Sequence, residues 1–81
     1  MHVTVRFYAY SRELAGADEA PVPVGDGATC ADLARALAEA HPALEPLLGR
    51  SALATDDGYL RPEDPIPAGQ VVSLIPPVSG G

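Results

Sequence analysis

The start of the chain alternates between apolar and polar side chains with the period of a β-strand. The apolar positions are Val3, Val5, Phe7 and Ala9. This alternation places them on one face of a strand and the polar residues between them on the other face. The pattern therefore predicts a strand that packs against a core and leaves Arg6 and Tyr8 exposed.

The next segment predicts one helical turn and a second, shorter strand. Ser11 is a candidate N-cap because its hydroxyl can accept from a free helical amide, and Gly16 can end the turn in the left-handed conformation. The apolar residues within residues 20–24 are typical of a strand. Pro21 and Pro23 lack an N–H donor, so we expect this strand at an edge of the sheet.

The middle of the chain predicts a single amphipathic helix. Thr29 is its expected N-cap, and Asp32 adds negative charge to the first turn. Pro42 cannot continue a helix, so we expect the helix to span Cys30–Ala40. Its apolar face continues past this end and comprises Leu33, Leu37, Ala40 and Leu44.

The second half of the chain predicts a hairpin and a last strand. The sequence Asp56-Asp57-Gly58 separates residues 51–55 from residues 59–60, and an Asp-Gly pair between such segments favours a tight turn. After a turn-rich connection, residues 71–75 have the apolar character of a strand.

Alternation along the last strand separates its side chains into two sets. Val72 and Leu74 share one face, and Ile75 lies on the opposite face. The complete order is strand, strand, helix, strand, strand, strand. This order predicts an α+β roll in which a mixed sheet is covered on one face by one main helix.

Composition and charge restrict the function. The chain has 81 residues, of which 47% are hydrophobic and 20% charged, so we expect one small globular domain. The net charge is −6, and all five basic residues are arginines that do not adjoin one another. This distribution opposes binding to nucleic acid or to an anionic membrane, and it favours a basic partner protein.

No arrangement of side chains indicates an enzyme active site. Cys30 stands alone, and with His2 and His41 it does not have the spacing of a zinc site. We interpret Cys30 as a small apolar core residue, and Asp56 and Asp57 as turn residues. The chain begins directly with a strand pattern and has no apolar run of membrane-spanning length, so we expect a cytoplasmic protein.

The chemistry of the chain is expected in its last six residues, which we call the tail. They are Pro76, Pro77, Val78, Ser79, Gly80 and Gly81. Glycines have no Cβ, so the terminal carboxylate can pass through a narrow channel into the active site of another protein. The two prolines stiffen the base of the tail and reduce the entropic cost of ordering it.

The chain resembles the ubiquitin-like MoaD/ThiS sulfur-carrier family along essentially its whole length. Two blocks carry this resemblance: residues 9–16, with the sequence Ala-Tyr-Ser-Arg-Glu-Leu-Ala-Gly, and the Pro-Pro-Val-Ser-Gly-Gly tail. The resemblance implies a β-grasp domain over residues 1–75 that carries the tail, residues 76–81. The predicted order of elements agrees with that fold.

The resemblance also implies the function of the sulfur-carrying subunit of molybdopterin synthase, in molybdenum cofactor biosynthesis. In that cycle a ubiquitin-activating-type, MoeB-like enzyme uses ATP to adenylate the carboxylate of Gly81, and sulfur from a sulfurtransferase converts it to a thiocarboxylate. The tail then enters a MoaE-like large subunit and donates its sulfur to a pterin precursor. The chain itself would be non-catalytic and would bind no cofactor or metal.

Docking to the large subunit is expected beside the tail. Ile75 and Val71, with the Pro76-Pro77 step, can form an apolar patch on an acidic body. Arg12 matches the Arg-Glu-Leu motif of the family, and we expect it to hold its turn to the sheet.

Three other functions remain open at this stage. The chain can be a sulfur carrier for thiazole, cysteine or a secondary metabolite, or a ubiquitin-like protein conjugated to target lysines through Gly81. It can also be an interaction module whose tail has no chemical role. The sequence contains no lysine, so the chain cannot accept an isopeptide bond on its own side chains.

Overall fold

The computed structural model describes residues 1–67 and 69–76 of the protein. It shows the α+β roll that the sequence predicts. The elements, in chain order, are β1 (His2–Phe7), α1 (Ala9–Ala15), β2 (Glu19–Pro23), α2 (Cys30–Ala40), a 3₁₀ turn (Pro42–Leu44), α3 (Glu45–Leu48), β3 (Ala52–Thr55), β4 (Gly58–Leu60) and β5 (Val72–Ile75).

The strands form one mixed sheet in the order β2-β1-β5-β3-β4. The last strand, β5, lies at the centre, parallel to β1 and antiparallel to β3. Val72 and Leu74 are buried because β5 turns them toward the helices, as the alternation predicted. The register aligns Leu74 with Phe7 on β1 and with Leu53 on β3, which builds the core layer under α2.

Helix α2 begins and ends where the sequence predicts. The Thr29 hydroxyl accepts from the Asp32 amide at 3.3 Å, and the Asp32 carboxylate accepts from the Thr29 amide at 2.9 Å. This reciprocal cap satisfies two amides that would otherwise lack a helical partner. The helix ends before Pro42, with His41 as its C-cap.

The core lies between α2 and one face of the sheet. Its buried apolar residues are Val3, Val5, Phe7, Val22, Cys30, Leu33, Leu37, Leu44, Leu47, Ile66, Val72 and Leu74. Strands β1 and β5, helix α2 and the turns that follow it supply most of this set. These are the segments whose periodicity predicted a buried face.

The junction of β1 and α1 differs from the prediction. Strand β1 ends at Phe7, and Ala9 is exposed with a φ of 50° rather than packed on the strand's apolar face. Tyr8, not Ser11, is the N-cap of α1. The buried Ser11 hydroxyl accepts from the Tyr8 amide at 3.0 Å and donates to the Tyr8 carbonyl at 2.7 Å. Ser11 therefore caps the helix from inside its first turn, which the alternating pattern does not reveal.

Both predicted turns that depend on a glycine are confirmed, but the hairpin turn is one residue shorter than predicted. Gly16 ends α1 in the left-handed conformation with a φ of 73°. At the hairpin, Thr55 pairs with Gly58, so the turn is Asp56-Asp57 alone and Gly58 begins β4 with a φ of 130°.

Strand β2 lies at the edge of the sheet, as its prolines predicted. Pro21 is opposite Thr4 and Pro23 is opposite His2, and both prolines are exposed. A proline at an edge position does not break the ladder, because its missing N–H would have pointed to solvent.

Candidate functional site

The site begins where the chain leaves the centre of the sheet. At the C-terminal end of β5, the last strand pair joins Ile75 to Ala52 in β3. Pro76 follows and has no N–H to extend the ladder. The central position of β5 therefore directs the chain out between β1 and β3. The described residues reach one position into the predicted tail. Pro77, Val78, Ser79, Gly80 and Gly81, which carry the predicted chemistry, lie outside them.

The two apolar residues predicted at the interface lie on the side of β5 that faces away from α2. Ile75 is half-buried, and Val71, which precedes β5, is 38% exposed. Ser73 lies between them on the same face. We call this side of the sheet the outer face. Contact of Ile75 and Val71 with a partner stays a prediction.

Strand pairing extends the outer face across the sheet. Arg6 in β1 is opposite Ser73 in β5, Ser73 is opposite Ala54 in β3, and Ala54 is opposite Tyr59 in β4. The row is charged at β1 and apolar at β3 and β4. Tyr59 is 77% exposed at the end of this row, so a large aromatic surface is available to a partner.

A polar cluster joins β1 to β5 on the outer face. The Ser73 hydroxyl donates to the Tyr8 hydroxyl oxygen at 3.5 Å, and Arg6 pairs with Glu19 at the same distance. Hydrogen bonds from Ser73 and from Arg6 lower the pKa of the Tyr8 phenol, because both favour the phenolate.

A shallow recess of about 480 Å³ lies beside this cluster. Val71 borders it, and its other lining residues are Arg6, Tyr8, Asp56, Asp57, Gly69, Gln70 and Ser73. The recess holds charges of both signs and is open to solvent. It can accept a polar side chain of a docked protein, and solvent screens the charges that line it.

Cys30 lines a second, mostly apolar groove between α2 and the β3–β4 hairpin, with a volume of about 270 Å³. The residue is 2% exposed. Burial, together with the charge of Asp64, raises the pKa of the Cys30 thiol. Cys30 belongs to the buried apolar core, so the interpretation of Cys30 as a core residue is confirmed.

The remaining polar candidates have structural contacts. His41 packs edge-on against Phe7, with ring centroids 5.6 Å apart, and Arg12 pairs with Asp18 at 3.7 Å, which links α1 to the turn before β2. Within residues 1–67 and 69–76, no three His, Cys, Asp or Glu side chains form a group that could hold a metal ion. Across the same residues, no helix combines the length and apolar character that a membrane-spanning segment requires.

The fold defines the class of the protein. A mixed sheet under one main helix, with a central last strand that carries the chain into its Gly-Gly sequence, is the architecture of ubiquitin-like β-grasp proteins. The model of the ThiS family matches residues 5–81. The chain therefore belongs to the ThiS family.

Individual relatives agree with this assignment. The molybdopterin synthase sulfur carrier subunit of Chlamydomonas reinhardtii is 40% identical over 83 residues that cover both chains completely. The structure of SAMP1 from Haloferax volcanii superposes with a TM-score of 0.85 at 30% identity, again covering both chains completely. The complex of subunits 1 and 2 of the molybdopterin-converting factor from Helicobacter pylori contains a chain with a TM-score of 0.67 and 29% identity, with complete coverage of both chains.

Sequence reasoning identified the end of β5 but not the polar cluster on the outer face. Tyr8 and Ser73 are 65 residues apart, and their contact depends on the parallel register of β1 and β5. The only sequence signal was the outward alternation of Arg6 and Tyr8, which gives their face but not their neighbours.

Proposed function

We propose that this protein is the sulfur-carrier subunit of a molybdopterin synthase, with the carried sulfur held as a thiocarboxylate at Gly81. The observation that carries the proposal is the match along both complete chains to a sulfur carrier subunit of that enzyme. The Gly80-Gly81 ending of this chain supplies the group that such a carrier needs.

The chemistry requires an activated carboxyl group. A carboxylate resists nucleophiles because its charge is delocalised over two oxygens. Adenylation of Gly81 with ATP gives the acyl carbon a good leaving group, and a sulfur nucleophile of a persulfide donor then displaces AMP. The loaded tail donates its sulfur to the pterin precursor in the large subunit.

Other proteins supply the catalytic groups of this cycle. We assign ATP binding and adenylation to a ubiquitin-activating-type, MoeB-like enzyme and the delivery of sulfur to a sulfurtransferase, so this chain is a non-catalytic subunit that binds no cofactor. The half-exposed polar cluster and the buried thiol of Cys30 support that division of roles. We place the cycle in the cytoplasm, where ATP is available.

The large subunit docks on the outer face next to the tail. Ile75 lies at the end of β5 where the chain leaves the sheet, Val71 precedes the other end of the same strand, and Tyr59 extends the apolar area toward β4. The related complex from Helicobacter pylori shows that a similar chain assembles with a second subunit. The net charge of −6 favours a basic surface on the partner.

Intact mass measurement tests the function. Protein treated with the activating enzyme, ATP and a persulfide donor should gain the mass difference of one sulfur replacing one oxygen. A variant without Gly81 should show no such gain. An unmodified wild-type carboxylate under these conditions would overturn the proposal.

Conjugation to other proteins is a second candidate function. The similarity to SAMP1, which is itself described as a small archaeal modifier protein, favours it. In that case, activation in a cell extract should produce a ladder of heavier adducts joined through Gly81. If only the thiocarboxylate appears, this candidate is excluded in favour of the sulfur carrier.

A further inference from the structure

The outer face of the sheet has an apolar end and a polar end. Ile75 lies at the apolar end, where the chain leaves the sheet, and Val71 borders the polar recess at the other end of the same strand. Four steps of extended chain separate these two positions, which is a distance of about 13 Å. The recess is therefore a second feature of the outer face, apart from the apolar residue beside the tail.

The hairpin turn forms the acidic wall of this recess. Asp56 and Asp57 connect β3 to β4, and both residues are exposed. The Asp57 amide donates to the Thr55 hydroxyl at 3.2 Å, and the Asp57 carboxylate accepts from the side-chain amide of Gln70 at 3.5 Å. These two bonds hold the turn against the segment before β5, so that both aspartates line the recess.

The recess carries an excess of negative charge. Arg6 is its basic residue, and Arg6 pairs with Glu19 in the neighbouring strand at 3.5 Å. Within residues 1–67 and 69–76, neither Asp56 nor Asp57 forms an ion pair, because the other paired arginines have other acidic partners. Their ion pairs are Arg12–Asp18, Arg35–Asp32, Arg61–Glu63 and Arg61–Asp64. The charges of the two turn residues are therefore not compensated within the described part of the chain.

The formation of the turn does not by itself require these charges. Asn and Ser favour tight turns as Asp does, and they are neutral. Two adjacent carboxylates repel each other, and ionised carboxylates can only accept hydrogen bonds. The group that fits beside Asp56 and Asp57 is therefore a positively charged donor, either a guanidinium or an ammonium.

We propose that this recess receives a basic side chain of the large subunit and thereby fixes the orientation in which that subunit docks. The inference rests on the proposed function, because it concerns the partner of the outer face. A single apolar contact at Ile75 leaves the partner free to rotate about it. A second, charged contact about 13 Å away removes this freedom, because charge complementarity sets the register of an interface.

Two double variants test this proposal. Asp56→Asn combined with Asp57→Asn removes both charges and keeps residues that favour the turn. Asp26→Asn combined with Glu39→Gln is the matched control, since it removes the same amount of charge from the loop before α2 and from α2 itself, at two exposed positions. Equal thermal midpoints would show that both double variants fold like the wild type.

Calorimetric titration with the large subunit measures the affinity at about 0.05 M and about 0.5 M salt. At the lower concentration, the double variant of the turn should bind about five- to tenfold more weakly than the wild type, and the control should stay within about twofold. At about 0.5 M salt the Debye length falls to about 4 Å, so the difference between the turn variant and the wild type should narrow. A purely structural effect of the turn would not depend on salt in this way.

The outcomes distinguish this inference from the proposed function. If the wild type binds but both double variants bind alike, or if the loss does not change with salt, the recess is not a charged contact and the proposed function stands. If the turn variant binds the large subunit normally but is loaded slowly by the activating enzyme, the recess serves that enzyme and the inference is also wrong. If the wild type does not bind the large subunit, the proposed function fails and takes this inference with it.

Discussion

The hydroxyl of Ser11 makes a hydrogen bond with each backbone polar group of Tyr8. It accepts from the Tyr8 amide at 3.0 Å and donates to the Tyr8 carbonyl at 2.7 Å. Ser11 is completely buried. These two bonds turn the chain from β1 into α1 and fix Tyr8 at the edge of the outer face. The polar cluster on that face therefore depends on a residue that is not part of it.

Replacing this hydroxyl should destabilise the fold. Ser11→Ala leaves the partly buried Tyr8 amide without its partner and removes one of the two hydrogen bonds to the Tyr8 carbonyl, which keeps the Ser11 amide, so the free energy of unfolding should fall by about 1–3 kcal/mol. Urea denaturation followed by circular dichroism measures the change. Ser51→Ala, which removes one half-exposed bond to the Leu47 carbonyl, is the control and should cost less. Equal losses would show that Ser11 has no special role.

Binding of the large subunit should depend on Ile75. Ile75→Asp puts a charge into the apolar part of the outer face, and we expect affinity for the large subunit to fall at least about 30-fold, as for a central interface residue. Titration calorimetry measures this affinity. Ala43→Asp adds the same charge on the exposed 3₁₀ turn and should bind normally. An unchanged affinity of Ile75→Asp would remove the outer face from the interface.

The hairpin should be sensitive to the loss of one glycine. Gly58 has a φ of 130°, and an added Cβ would meet nothing within 4 Å, so any cost of Gly58→Ala comes from backbone strain and not from crowding. We expect a loss of about 1–2 kcal/mol in the free energy of unfolding. Gly25→Ala has the same open surroundings without a positive φ and is the matched control. If Gly58→Ala and Gly25→Ala are equally stable, backbone strain at Gly58 is not the cause of any loss.

The cap of α2 should contribute stability that depends on pH. The bond from the Thr29 amide, with that from Arg35, lowers the pKa of the Asp32 carboxyl in the folded state. A lowered folded-state pKa means that the contribution is present above the unfolded value of about 3.9 and is lost as pH falls through the folded value. Asp32→Asn should therefore be less stable than the wild type at pH 7, and the difference should shrink below about pH 4.

Denaturant midpoints between pH 7 and pH 3 measure this effect. Glu39→Gln removes an exposed carboxylate from the far end of the same helix and controls for net charge. A difference between Asp32→Asn and the wild type that stays constant over this range would contradict the assigned cause.

Residues with local partners were predicted correctly. The Thr29 cap, the end of α2 before Pro42 and the left-handed Gly16 all depend on neighbours within four residues. The prediction of Ser11 as the N-cap was wrong although its hydrogen bonds are equally local. They join Ser11 to Tyr8, three residues before it, and not to an amide later in the helix. The alternation of apolar and polar residues predicted a strand as far as Ala9. In the structure the strand stops at Phe7, because the next residue is the helix cap that bonds to the buried Ser11.

The sequence by itself determined the α+β class, the two sides of β5, the cap of the main helix and the Gly-Gly ending, because periodicity and caps act over a few residues. The tertiary structure alone decided that β5 lies between β1 and β3 and that Tyr8 meets Ser73. These relationships depend on strand order and register. Both are set by the packing of the whole core, and no short stretch of sequence records that packing.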